Sequence, residues 1–225
     1  MVLRATIIPA LCALALAACA PAGAAESMVD APAAERTARE GEGLKIAYFA
    51  GGCFWGVEAV FSHVKGVTSA VSGYHGGNAA SARYSAVSSG VTRHAETVKV
   101  VYDPAVVRYD QLLRVFFSVI ADPTLRDRQG PDVGPQYRAA LIPVSGEQRA
   151  VAGAYLAQMR ASGVWSRSIV TAMESPRRFY PAEADHQDFA DRNPDHSYVR
   201  RWDAPKIAAL RAQFPELYRA RFRTG

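Results

Sequence analysis

Leu44-Lys45-Ile46-Ala47-Tyr48-Phe49-Ala50-Gly51-Gly52-Cys53-Phe54-Trp55-Gly56-Val57 is the stretch from which the rest of the chain is read. An apolar, β-prone run ends on two glycines, and beyond them Val57, Val60, Phe61 and Val64 recur at helical spacing. A strand that turns on Gly51-Gly52 into a helix places Cys53 at the helix N-terminus. Unpaired backbone N–H groups and the positive end of the helix dipole meet there, and both favour a thiolate. The expectation is a reactive thiol of depressed pKa. A free cysteine is more often a small buried hydrophobe. Here glycines on both sides and two large aromatics after it point to another molecule approaching the backbone.

With 225 residues the chain has room for one domain with a sizeable core, plus appendages. The net charge of +5 comes from arginines scattered among acids, with no basic run interleaved with aromatics, so no nucleic-acid partner is expected. Of the three cysteines, Cys12 and Cys19 lie in the first nineteen residues. Residues 1–18 read as an export signal, with Arg4 before the apolar run Ile7 to Ala18, too short to span a membrane. It ends in Leu16-Ala17-Ala18-Cys19, which resembles the bacterial lipoprotein box. That resemblance implies cleavage before Cys19, lipid on its sulfur, and a chain held in the periplasm by a membrane anchor. Ala20 does not resemble the Asp that often retains such proteins at the inner membrane, so the outer membrane is favoured. The alternative is an ordinary cleavage site that leaves Cys19 free. Residues 19–43 are rich in Ala, Pro, Glu and Gly, lack aromatics, and read as a flexible tether before a domain over 44–225.

Within that domain a short strand is expected over Val67 to Val71, followed by a Gly-rich loop from Ser72 to Asn78. The run His94 to Tyr102 reads as a strand whose alternation puts Glu96 on one face with Val98, Val100 and Tyr102. A carboxyl on an apolar face is desolvated and keeps its proton near neutral pH. Leu112, Leu113, Phe116, Phe117 and Ile120 mark the buried stripe of a helix. The segment Ala121 to Gln136, which holds Asp132, is a long loop of functional length. Beyond it a strand over Tyr137 to Val144, a helix over Glu147 to Ser162 and a strand over Ser168 to Glu174 are expected. A short helix with Glu183, His186 and Gln187 and a terminal helix from Ala204 complete the reading. Strands and helices do not alternate strictly, which indicates an α+β fold. A single compact domain is expected, with a mixed sheet and flanking helices in a two-layer sandwich around a ferredoxin-like core.

Gly52-Cys53-Phe54-Trp55-Gly56, His94-Ala95-Glu96, Tyr102-Asp103-Pro104, Arg128-Gln129-Gly130, Gln136-Tyr137-Arg138 and Ala182 through Gln187 together resemble peptide methionine sulfoxide reductase, type A. The match runs in order from about Ile46 to Asp191. The resemblance implies reduction of the S epimer of methionine sulfoxide, free or in proteins, through a cysteine sulfenic acid. It implies Cys53 as nucleophile and Glu96 as the acid that protonates the sulfoxide oxygen. Tyr84 and Tyr137 would donate hydrogen bonds to that oxygen, Phe54 and Trp55 would cage the methyl group, and Asp132 would line the site. No metal or bound cofactor is implied. The partners are an oxidised client protein or peptide and an external thiol reductant, a thioredoxin-like protein or glutathione, and a monomer is expected. Chemistry agrees with these assignments, since oxide is a poor leaving group unless protonated and a neutral acid beside the sulfur supplies that proton.

In one respect the sequence departs from the family pattern. Many relatives carry a resolving cysteine near Ser88 or in the C-terminal tail, and no cysteine follows Cys53. Two other classes of function make different demands on the chain. A thiol hydrolase would need an imidazole on Cys53, from His63, His75, His94, His186 or His196. A binding lipoprotein without turnover would have no use for a buried neutral acid beside a thiol.

Overall fold

Residues 28–224 are described by a computed structural model. Strand β1 (Lys45–Gly51) sorts its side chains by the pleat, Ala47 and Phe49 to one face and Tyr48 and Ala50 to the other. The chain turns at Gly52 with φ +94°, where a Cβ would come within 2.6 Å of Gln129 Cβ. It then enters α1 (Phe54–Ser62), with Cys53 as the N-cap residue. There follow β2 (Val67–His75), α2 (Tyr84–Val87), β3 (Ala95–Tyr102) and α3 (Tyr109–Val115), which runs on as a π-helical turn over Phe116–Ile120. A small hairpin of β4 (Arg128–Gln129) and β5 (Asp132–Val133) precedes β6 (Ala139–Ile142) and α4 (Gly146–Ala161). The last elements are β7 (Ala172–Met173), β8 (Tyr180–Pro181), α5 (Phe189–Arg192), a π-helical turn over Val199–Asp203, and α6 (Ala204–Gln213).

Six strands form one sheet in the order β7-β6-β1-β3-β2-β8, antiparallel except for the parallel pair β6 and β7. Its middle, β6-β1-β3-β2 with α1 and α3 as the connecting helices, has the ferredoxin-like strand order. Both helices pack on the Phe49 face. The Phe49 ring lies 4.7 Å from Phe61 of α1, 6.0 Å from Tyr109 of α3 and 5.2 Å from Phe116. The opposite face buries a smaller set, Ala50, Ala95, Ala140 and Ile142. The expected mixed two-layer fold is the one observed.

Several local expectations are corrected. The loop read over Ser72 to Asn78 begins only at Gly76, because Ser72, Gly73, Tyr74 and His75 continue β2. That extension pairs with β3 on one side and, at Gly73 and Tyr74, with β8 on the other. Gly73 marks a close approach and not a turn, since a Cβ there would run into Phe179 and the Tyr180 carbonyl. The strand expected over Ser168 to Glu174 pairs only at Ala172–Met173, and Tyr137 closes a 3₁₀ turn ahead of β6. His186 and Gln187 sit in a run of turns that Glu183 precedes, and helix begins only at Phe189.

The tether expectation is corrected over its second half. From Met28 to Glu42 the chain lies along α3, α4 and the end of β3, with Ala31 fully buried. Its polar backbone is satisfied by side chains of the domain. Ala31 N–H donates to Ser118 Oγ at 3.1 Å, Ala38 N–H to Asp110 Oδ1 at 2.8 Å, and Tyr155 O–H donates to the Pro32 carbonyl at 2.7 Å. Tyr102 O–H donates to the Glu40 carboxylate at 2.6 Å. Polar docking of this kind leaves no apolar period in the sequence. The expected signal segment, Cys12 and Cys19 lie outside the described residues.

Candidate active site

The first turn of α1 needs partners for its N–H groups. Phe54 N–H donates at 3.0 Å to Oε2 of Glu96, which reaches it from β3 across the same face as Val98 and Val100. Glu96 is 1% exposed, as the alternation of its strand indicates. Burial, partly opposed by that N–H and reinforced by Asp132, pushes its carboxyl up to about 8, so it holds a proton at neutral pH. Its other oxygen, Oε1, is buried and has no hydrogen-bond partner among the described residues.

Beside it Cys53 is partly exposed, with a free thiol. The expected low thiol pKa is not what the site gives. Burial pushes it well above its ordinary value, and the neighbouring carboxyls of Glu96, Asp203 and Asp132 push the same way. The Trp55 backbone N–H pulls it down and is outweighed. A helix N-terminus therefore does not make the unliganded thiol acidic here, because burial of its sulfur, with the acids around it, outweighs the dipole. Thiol and acid each hold a proton.

The remaining sequence-derived residues gather around this pair. Tyr84 and Tyr137 lie within electrostatic reach of both Cys53 and Glu96, and their phenols are pushed upward by burial first and by the neighbouring Glu96, Cys53 and Asp132 groups second. Asp132 comes from the hairpin β4-β5, where it pairs with Gln129. The Gln129 side chain, packed against Gly52, is held by the backbone of Asp122, accepting its N–H at 2.9 Å and donating to its carbonyl at 2.9 Å. The long segment Ala121 to Gln136 is thus pinned against the Cys53 turn. Phe54 is 1% exposed and packs inward on Tyr74 and His186, so it backs the site, while the neighbouring Trp55 is partly open. Trp55 lies parallel to Phe189 at 3.6 Å, and its Nε1–H donates to His186 Nδ1 at 3.2 Å.

Sequence reasoning missed two residues that the C-terminal segment delivers. Tyr198 O–H donates to Asp132 Oδ2, and its ring stands edge-on to Trp55 at 5.8 Å. Asp203, 1% exposed, packs where Gly56 leaves room, since a Cβ on Gly56 would meet its Oδ1. Tyr198 precedes and Asp203 ends a π-helical turn, a feature frequent at functional sites but without a sequence signature. Among the described residues no imidazole is hydrogen-bonded to the Cys53 sulfur. His63, His75, His94 and His186 are engaged with Arg219, Arg177, Gly77 and Asn78, and Trp55 respectively, and His196 lies edge-on to Trp55. The hydrolase arrangement is absent from them.

A family model described as peptide methionine sulfoxide reductase matches residues 45–217. Similar curated proteins include peptide methionine sulfoxide reductase MsrA 2 of Synechocystis sp., 47% identical over 195 residues, 87% of this chain and 90% of that one. The MsrA 2 of Mesorhizobium japonicum is 48% identical over 176 residues, 78% of this chain and 90% of its own. Among solved structures, methionine sulfoxide reductase A of Corynebacterium diphtheriae aligns with a TM-score of 0.56 and 34% identity, over 68% of this chain and 76% of that one. Mxr1 from Saccharomyces cerevisiae in reduced form aligns with a TM-score of 0.57 and 32% identity, over 68% of this chain and 87% of that one.

Proposed function

Because the chain belongs to the peptide methionine sulfoxide reductase family, in its type A branch, and is therefore a thiol-dependent reductase of peptide methionine (S)-S-oxide, we propose that Cys53 and Glu96 carry the reaction and that the enzyme works on the cell envelope. The observation that bears most weight is the buried Glu96 carboxyl, whose pKa burial lifts to about 8, with one oxygen held by Phe54 N–H and the other without a hydrogen-bond partner among the described residues. A sulfoxide oxygen seated at Oε1 takes that proton as the Cys53 sulfur attacks the sulfoxide sulfur, and the thiol proton restores Glu96. The hydroxyl then passes to Cys53. Methionine sulfide leaves, the cysteine is oxidised to sulfenic acid, and no other oxidant or reductant is consumed.

Tyr84 and Tyr137 are the donors to the same oxygen, while Trp55, backed by Phe54, faces the methyl group. Asp132, held by Tyr198, lines the peptide side. One methyl wall and one oxygen pocket on opposite sides of the sulfur select a single epimer. Cys53 is the only cysteine among the described residues, so an outside thiol, a thioredoxin-like protein or glutathione, condenses with the sulfenic acid to a mixed disulfide and water. A second thiol then frees Cys53. Leu16-Ala17-Ala18-Cys19 supports export and lipid attachment at Cys19, with repair of oxidised envelope proteins as the task.

The test is a dithiothreitol-driven assay on a peptide carrying either sulfoxide epimer. Wild type is expected to convert the S epimer alone and Cys53→Ser neither. Turnover of the R epimer, or activity in the folded Cys53→Ser variant, would overturn the assignment.

A further inference from the structure

Glu58 is a second buried acid that the reaction does not use. It lies on α1, one turn beyond Trp55, with no solvent exposure, and burial together with the neighbouring Asp188 charge lifts its carboxyl to about 8. Its two oxygens each accept a backbone N–H, one from Ser72 of β2 at 3.1 Å and one from Asp188 at 2.9 Å. Asp188 holds a left-handed backbone, φ 51°, and is the hinge from which Phe189 is presented. Phe189 in turn lies flat on Trp55, with an interplanar angle of 7°. Aspartate tolerates that conformation better than most residues, and the Glu58 carboxyl is the buried anchor on its N–H.

We infer that Glu58 is a positioning residue for substrate binding: through the Asp188 N–H it sets the turn that presses Phe189 against Trp55, and so fixes the aromatic wall that meets the methyl group. The inference rests on the reading of Trp55 as that wall. A glutamine at 58 fills the same space but turns an N–H toward one of the two N–H donors, which breaks one clamp while keeping the volume.

Single-turnover reduction of a methionine (S)-sulfoxide peptide, with enzyme in excess and varied, separates binding (half-saturating concentration) from chemistry (saturating rate). Wild type is compared with Glu58→Gln, Phe189→Leu, the two combined, and Trp55→Leu. Glu58→Gln and Phe189→Leu should each weaken half-saturation by about tenfold, the scale of a lost sulfur or methyl contact with an aromatic ring. The saturating rate should stay within about twofold, as for loss of uniform binding. The combined variant should be no weaker than the worse single one, because both act through Trp55. Unchanged binding in Glu58→Gln, or additive losses, with Trp55→Leu impaired, would overturn the inference and leave the wall standing. Unchanged binding in Trp55→Leu would remove the wall itself. A Glu58→Gln chain without a cooperative melt, beside a Phe189→Leu enzyme that binds normally, would make Glu58 a residue of the fold alone and also overturn the inference.

Discussion

Glu96→Gln perturbs one proton and little else. Glutamine keeps an oxygen for Phe54 N–H and can still offer N–H to the sulfoxide oxygen, but it cannot surrender a proton. Loss of general-acid help is expected to lower the single-turnover rate by about 10²–10⁴-fold. The alkaline limb expected of wild type as Glu96 ionises near 8 should vanish with it. The same group leaves a mark on stability. Its folded pKa of about 8 stands above its ordinary 4.5, so between these values the native state binds a proton that the unfolded chain has released. Its contribution is therefore fully present below about 4.5 and is lost as pH rises towards 8. A gap of this size corresponds to a penalty on the order of 5 kcal/mol for ionising the buried carboxyl. The difference in unfolding free energy between Glu96→Gln and wild type should thus shift in the variant's favour by a few kcal/mol from pH 4 to pH 8. Urea melts across that range and quenched-flow rates across the same range read both effects. A variant within about threefold of wild type in rate, or one that keeps the alkaline limb, would refute the role of Glu96 as the acid.

Tyr198→Phe removes the donor to Asp132 and should cost about 1.5–3 kcal/mol at pH 7, as for a hydrogen bond to a charged group, together with weaker peptide binding; urea melts and the substrate dependence of the rate check it. Gly73→Ala drives a methyl into Phe179 and the Tyr180 carbonyl, and about 1–3 kcal/mol of stability should be lost, with β8 released from β2, visible as faster amide exchange at Tyr180. Protein taken from an envelope fraction should begin at a lipid-bearing Cys19, and mass spectrometry finding any other unmodified terminus would reject the anchor.

Much of the site was legible because it follows period and place. The two glycines before an apolar helical pattern located Cys53 at a helix start, and alternation along β3 put Glu96 on the buried face. What stayed hidden depends on tertiary partners. Gly73 looked like a turn residue because nothing local announces that β8 pairs with β2 there. The thiol pKa ran against expectation because a helix N-terminus is a local cue, whereas the burial that outweighs it, and the acids from three separate parts of the chain that add to it, are tertiary. Tyr198 and Asp203 lie in a polar segment of no clear period, and only the fold brings them to Cys53. The stretch from Met28 to Glu42 looked like a tether because it docks through backbone hydrogen bonds and small alanines, which composition does not distinguish from a linker.

The most direct measurement is intact-mass analysis of the enzyme after one turnover with equimolar (S)-sulfoxide peptide and no reductant. One methionine per chain should form, with one oxygen atom added at Cys53 as a sulfenic acid, whose sulfur dimedone alkylates with loss of water, and an added thiol should restore the starting mass through a mixed disulfide. Methionine formed with no change at Cys53, or a loss of two hydrogens with no dimedone adduct, would contradict a reduction carried by this single cysteine.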